Sequence, residues 1–302
     1  MTKRKKRFII LAFTVLAAVI YVSISLYLSA NALTTSTFNY DSAKLSEPVT
    51  ITALTDIHSH LFGDANKRLI SKVEKEKPDL ILIVGDGINW YDESYEPLLT
   101  FISRVSQIAP VYFTVGNHET EYMYNHSDAG EFIDDVRTAG AAVVIGNYVD
   151  ITCKGQDFRI GGFYGNAYNT DLTSTESYLE SDNYKFLKDF VDTDAFKLML
   201  AHEPQSFIRE EDTTKWDIDL VVSGHEHGGQ IRLPFIGAVY SYHPFMGWFP
   251  KYTDGTHIIN GIPVIISRGL GTYTKGVTEG GSFFPMIPRF NNIPEICDIQ
   301  IS

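Results

Sequence analysis

Short apolar runs recur along the chain, and most of them end in a polar cluster. They read VTITALT at 49–55, LILIV at 80–84, VYFTV at 111–115, AVVI at 142–145, KLMLA at 197–201 and DLVVSG at 219–224. Continuous apolar runs of this length predict strands covered on both faces. Helical patterns lie between several of them. Residues 66–77 place Leu69, Ile70 and Val73 at helical spacing, and Pro78 ends the run. Residues 96–108 and 129–139 carry weaker helical patterns. FRIGGF at 158–163 and the stretch 230–301 predict shorter strands with Gly and Pro turns. Strand–helix alternation predicts α/β layers. In open α/β sheets, ligands bind beyond the carboxyl ends of the strands. Five strand ends are therefore candidates to share one cleft: TDIHSH at 55–60, VGDG at 84–87, VGNHE at 115–119, LAHEP at 200–204 and SGHEHGGQ at 223–230.

The N-terminus breaks this pattern. Lys3-Arg4-Lys5-Lys6-Arg7 precedes 21 residues, Phe8 to Leu28, without a charge. About 20 apolar residues cross a bilayer as a helix, and a basic flank keeps its own end in the cytoplasm. Two readings follow. A retained anchor makes the chain a single-pass membrane protein with its bulk outside the cytoplasm. A cleaved signal, cut after Ala32 in the small-residue pattern Ala30-Asn31-Ala32, makes it secreted. The run exceeds the ~7–15 residues of a signal core, which favours the anchor. The expected organisation is a basic flank and transmembrane anchor over 1–30, a small polar linker over 31–46 and one domain over 47–302.

Beyond the five N-terminal cations, 20 basic residues face 37 acidic ones, a net charge of −17. Such a field repels nucleic acid, so no nucleic-acid partner is expected. It leaves a phosphate substrate open, because bound cations reverse the local sign. Two cysteines, Cys153 and Cys297, are too few for a thiolate zinc site. A disulfide is permitted outside the cell, and two independent thiols are the competing reading.

The five clusters offer Asp56 and His58; Asp86; Asn117 and His118; His202; and His225 and His227. In an extended segment, residues two apart share a face, so Asp56 and His58 are expected to reach one cation, and His225 and His227 are again two apart on one face. Gly85 and Gly116 are expected to free tight turns. Imidazole with carboxylate suits Mn, Fe or Zn more than Ca or Mg. Seven O/N ligands exceed one catalytic ion and match two ions ~3.5–4 Å apart, with Asp86 shared between them.

DIH, GDG, GNHE, the lone His202 and GHEH, in this order, resemble the five motifs of the calcineurin-like metallophosphoesterases over about 47–302. SGHEHGGQIRLP, SRGLGT and PRFNNIPEI further resemble the bacterial membrane-anchored subfamily. The resemblance implies a layered β-sandwich core flanked by helices. It implies one cation held by Asp56, His58, Asp86 and His227, and a second by Asp86, Asn117, His202 and His225. It gives His118 the catalytic role, protonating the leaving oxygen or steadying the transition state. The implied reaction is hydrolysis of phosphate ester or pyrophosphate bonds, with a metal-bridged hydroxide attacking phosphorus. The anchor and the aromatic stretch 240–249 suggest a membrane-associated nucleotide-sugar or lipid-linked phosphate as substrate. The alternative is a catalytically impaired metal-binding module at the cell envelope.

One position departs from many relatives, which carry an acid three residues after the motif-two aspartate, paired with the catalytic histidine. Here it is Asn89, and Asp92 or Glu119 are the acids that could serve instead. Glu119 and Glu226 are otherwise expected behind the ligands. Arg268 and Arg289 suit bidentate contact with phosphate, against ion pairs with the abundant acids as the competing reading. His60 either lines the cleft or is solvated. His126 reads as a surface residue, His257 as a surface or strand residue, and His243 lies among aromatics that form a hydrophobic lip or pack a small sheet.

Overall fold

Each apolar run named above is a strand in the computed structural model of the chain. The structure describes residues 1–302 apart from 127–128, 166, 168–178, 209–214, 242–246, 273–274, 278–282 and 286. Two six-stranded sheets face one another. The first has the order β1 (Thr34–Tyr40), β16 (Glu295–Ile301), β2 (Val49–Leu54), β3 (Leu80–Val84), β4 (Val111–Thr114), β5 (Ala141–Val143). The second runs β12 (Gly255–Ile259), β13 (Ile262–Ile266), β9 (Leu220–Ser223), β8 (Phe196–Leu200), β7 (Gln156–Gly162), β6 (Asn147–Cys153). β2 to β5 are mutually parallel, as are β7, β8, β9 and β13. Their ligand-bearing ends therefore point the same way within each sheet.

Alternation along the strands builds the layers. Leu80, Leu82 and Val84 turn towards the second sheet and meet Phe158, Leu198 and Val222. Ile81 and Ile83 turn outward under α2 (Lys67–Glu76), α3 (Glu96–Val105), α4 (Asn117–Asn125) and α5 (Ala129–Thr138). On the far face of the second sheet, Leu187 and Phe190 of α6 (Asp182–Phe190) cover Met199 and Val221. The result is the expected layered sandwich flanked by helices. Both faces of the central strands are covered, which is why their sequences run continuously apolar.

Helix α1 spans Lys3–Asn31, with a mean hydropathy of 2.6 over its most apolar window, and is long and apolar enough to cross a membrane. Two antiparallel hairpins complete the chain, β10 (Ile231–Leu233) with β11 (Gly237–Tyr240) and β14 (Lys275–Val277) with β15 (Phe283–Pro285). Cys153 and Cys297 are free thiols.

The segment expected to be a linker is corrected. Residues 34–40 form β1 and pair in parallel with β16, from Thr34 opposite Glu295 to Tyr40 opposite Ile301. Its Thr-rich, small-residue sequence lacks a strand's apolar alternation because β1 is an edge strand, half buried along its length. Phe38 and Tyr40 still pack against the inter-sheet core. Replacing both by Ser should therefore cost about 1–3 kcal/mol, in proportion to the half-buried apolar area lost. Urea denaturation of the full chain checks this; an unchanged midpoint would restore the linker reading.

Candidate metal centre

The five clusters converge because their strands end at one edge of the sandwich. Asp56, Asp86, His202 and His225 each lie two residues past a strand, after β2, β3, β8 and β9. Backbone bonds then bind the loops side by side. Asp56 N–H donates to Gly85 O (3.1 Å), His58 N–H to Asp86 O (2.9 Å), Gly85 N–H to Thr114 O (3.0 Å) and Gly224 N–H to His202 O (2.9 Å). The expectation that Asp56 and His58 share a face of an extended segment is corrected. Both have positive φ, 50° and 48°, as does Asp86 at 52°. The chain has already left the strand, and left-handed turns aim these side chains inward at a cost that a functional site carries.

Two groups of side chains result. The ligand atoms of Asp56, His58 and His227 lie within 4.8 Å of one another, and so do those of Asp86, His202 and His225. Asp86 joins them: its Oδ2 lies 3.1 Å from His202 Nε2 and 3.6 Å from His58 Nε2. Its Oδ1 accepts the His118 N–H at 2.9 Å. His118 also clusters with His58 and Asp86, its ring 4.6 Å from that of His58. Asn117 Oδ1 is buried there and meets no hydrogen-bond donor among the described residues. A buried amide oxygen normally has a partner, and a cation would supply one here. The donor set of imidazole, carboxylate and amide oxygen fits a pair of divalent transition-metal ions.

A model of the calcineurin-like phosphoesterase family matches residues 49–229. The chain belongs to that family. It is 30% identical over 226 residues to a metallophosphoesterase of Campylobacter jejuni, itself uncharacterised, covering 72% of this chain and 53% of that one. It thus spans about half the length of that relative. It is 26% identical to the phosphodiesterase YaeI of Escherichia coli, over 74% of this chain and 76% of the other. Among solved structures it resembles a 5'-nucleotidase precursor of Thermus thermophilus, with a TM-score of 0.44 and 15% identity, covering 82% of this chain and 56% of that one.

Hydrogen bonds behind the phosphoesterase cluster set the direction of each ring. His202 Nδ1 donates to Val84 O (2.9 Å) and His58 Nδ1 to Asn89 Oδ1 (3.0 Å), which turns both Nε2 atoms towards the carboxylates. His118 Nδ1 accepts the Trp90 N–H (3.2 Å), so the neutral ring carries its proton on Nε2. Asn89, the departure from the family pattern, therefore serves His58. Both alternative acids have other partners. Asp92 accepts from Asn89 and Ser59, and Glu119 accepts the N–H groups of Asp86, Ile88 and Gly116. Glu119 thus ties the Asp86 loop to the start of α4. A backbone N–H as the partner of His118 leaves no trace in sequence, because any residue type supplies one.

Gly85 has φ +72°, as its turn role requires. Gly116 does not: its φ is −106°, and what it provides is room. A Cβ there would overlap Asp86 Oδ1. The remaining expected residues sit as follows. Arg268 forks onto Glu295, Nε to Oε2 at 2.9 Å, so its ion-pair reading holds in place of substrate contact. Arg289 is buried, bonded to the carbonyls of Arg268 and Gly269, with Nε meeting no partner among the described residues. His60 packs on Phe62 and lines a crevice with Arg289 and the end of α1, outside the metal groups. His126 stacks on Tyr122 and His257 bonds Asp254 O. His243 lies outside the described residues.

Electrostatics divides the site. Burial works to raise the Asp86 carboxyl, but His202, His118 and His58 outweigh it and hold Asp86 well below the usual carboxylate range. Burial raises Asp56, and raises Glu119 with help from Asp86 to about 7. Burial lowers His227, with the Arg289 charge, to about 3, and lowers His58. His202 goes the other way: burial opposes, yet the Asp86 and Asp56 charges lift it to about 10. At neutral pH, His58 and His227 are unprotonated, and His202 would have to give up a proton to bind a cation. The sign follows. The protonated ring persists up to about 10, so metal affinity rises with pH towards that value and falls below it. Calorimetry with Mn²⁺ in buffers of different ionisation enthalpy should register about one proton released per chain by His202 near neutral pH; affinity independent of pH between about 7 and 9 would contradict it.

Asn89→Ala removes the acceptor that orients His58. It should weaken metal affinity by about 10–100-fold while leaving the fold intact, as read by metal titration beside circular dichroism. Unchanged affinity would show that Asn89 does not position the ring.

Proposed function

We propose that this chain is a metal-dependent hydrolase of phosphate ester or pyrophosphate bonds, with two divalent ions, Mn, Fe or Zn. The observation that carries it is the placement of the Asp86 carboxylate between His58 and His202, joining two compact ligand groups. Asp56, His58, Asp86 and His227 would hold one ion; Asp86, Asn117, His202 and His225 would hold the other. The ions, when bound, supply Lewis-acid activation of water and of the phosphoryl oxygens.

The chain's own residues do the rest. Gly116 leaves space for Asp86, and the His118 N–H fixes one of its oxygens, so the other stays aimed at both groups. His118, with its Nε2 proton set by the Trp90 N–H, donates a hydrogen bond to the charge that develops on the departing oxygen. Asn117 contributes an uncharged oxygen, which adds no repulsion towards an anionic substrate. We read α1 as a retained anchor that places the domain outside the cytoplasm. This favours a substrate of the membrane or its surface, a nucleotide-sugar or lipid-linked phosphate, bound by its phosphoryl group. The name of one relative, a phosphodiesterase, supports the ester class.

Full-length protein loaded with Mn²⁺, Zn²⁺ or Fe²⁺ should hydrolyse an aryl phosphomonoester or phosphodiester in a metal-dependent way. His118→Ala should lower kcat by about 10²–10⁴-fold, with elemental analysis still giving about two ions per chain. A metal-loaded wild type without turnover on either compound would favour a binding module. A variant that loses metal along with activity would make His118 structural.

A further inference from the structure

We propose that the β10–β11 hairpin is a second membrane contact, its apolar tip seated in the leaflet from which α1 emerges. This rests on reading α1 as a retained anchor, and adds a surface which that reading does not require.

The tip is Leu233-Pro234-Phe235-Ile236, and its exposure runs against its composition. Phe235 is fully exposed, Ile236 60% and Leu233 38% exposed. Nearby, Trp248 and Phe249 are 71% and 66% exposed. The Tyr240 and Trp248 backbones bridge, and their rings meet at 5.3 Å, so the two segments form one patch. From Leu233 to Pro250 the sequence has no Asp, Glu, Lys or Arg, in a chain of net charge −12. At the hairpin base, Arg232 is neutralised by Asp254 at 2.7 Å.

The turn itself is costly. Ile236 N–H donates to Leu233 O, with Pro234 as the first central residue and Phe235 as the second. Phe235 has φ 67°, a position that glycine or asparagine normally fills. A bulky side chain held there, and exposed among the described residues, gains its compensation from outside the fold.

Continuity with α1 identifies the occupant as lipid. Tyr21, Ser25 and Ser29, spaced by four on one face of α1, all meet the segment 290–292. Tyr21 packs edge-on against Phe290 at 5.9 Å. Ser25 Oγ accepts the Asn291 N–H (2.8 Å), and Ser29 Oγ accepts the Asn292 N–H (3.0 Å). The same segment holds the hairpin: Arg232 N–H donates to Phe290 O (3.0 Å), and Phe290 N–H donates to Gln230 O (3.1 Å). The tip thus lies beside the last turns of the helix. A crevice of about 420 Å³ between them is lined by Ser25, Leu28, Pro234 and Phe235. The uncharged span Phe8–Leu28 is about 31 Å long as a helix, about the thickness of the hydrocarbon core. Leu28 therefore falls at the hydrocarbon boundary, and the crevice it shares with Pro234 and Phe235 brings the hairpin tip near that depth. Apolar side chains with a flanking Trp and Tyr suit that depth. The acidic domain gains nothing from anionic headgroups, so the contact is apolar and insensitive to salt.

The test uses the full chain in phosphatidylcholine vesicles. Cys153 is replaced by Ser, the fully buried Cys297 is left in place, and one exposed cysteine, Phe235→Cys or Ile236→Cys, carries an environment-sensitive NBD dye. The control is Glu131→Cys on α5, beside the opposite edge of the first sheet. The expected result is blue-shifted NBD emission at 235 and 236. Lipids with a nitroxide near the headgroup should quench it about twofold, consistent with burial of ~5–10 Å, at low and high salt alike. The control should report water. Water-like emission at 235 and 236 in a chain that floats with the vesicles overturns the proposal and leaves the anchor standing. Blue-shifted emission without lipid quenching assigns the patch to a protein contact and also overturns it. A mature protein that lacks residues 1–32 by mass spectrometry removes the anchor reading itself, and the proposal with it.

Discussion

The site depends on one carboxylate held in a place where it cannot be solvated. Asp86 is buried among three histidines, and an isolated buried charge is among the most expensive features a fold can contain. The chain surrounds it with compensation. The His118 N–H binds one oxygen, His202 and His58 face the other, and Glu119 ties its loop to α4 through the Asp86 and Gly116 N–H groups. Gly116 is part of the same solution, since any side chain there would occupy the carboxylate's own volume. Such a constellation of buried acids and imidazoles is balanced by divalent charge, which is what a metal centre provides.

The sandwich makes this arrangement rigid. Three of the five loops leave parallel neighbours in one sheet, and two leave parallel neighbours in the other. Backbone bonds between loops extend the strand pairing past the strand ends. Two apolar layers, one between the sheets and one under the helices, hold these ends in register. A side chain two residues beyond a strand is therefore placed almost as firmly as one within it. The coupling reaches α1 as well. The segment 289–292 bonds the helix through Ser25 and Ser29, and through Asn292 it bonds the carbonyl of His227. The apolar helix and the candidate metal centre are parts of one structural unit.

The central strands, the layers and the gathering of the polar clusters at one edge were legible in the chain. Buried parallel strands are continuously apolar, and a polar residue directly after such a run has few structural uses. The apolar segment at the N-terminus was legible for a similar reason, since no soluble surface explains 21 uncharged residues after five cations. What misled was local conformation. Asp56 and His58 reach their positions through left-handed turns, which their residue types do not announce. Gly116 reads as a turn residue and is instead a gap. Thr34–Tyr40 lacks an apolar pattern because an edge strand is specified by its partner, β16, at the other end of the chain.

Residue chemistry and order along the chain therefore determined which groups are available: seven donors, one further histidine and one apolar helix. Only the tertiary structure decided what each group faces. It gave Asn89 to His58, the Trp90 amide to His118 and Arg268 to Glu295. The physical reason is that these pairings join segments distant in sequence, or use backbone groups common to every residue. Their selection follows from how the loops lie against one another once both sheets have closed.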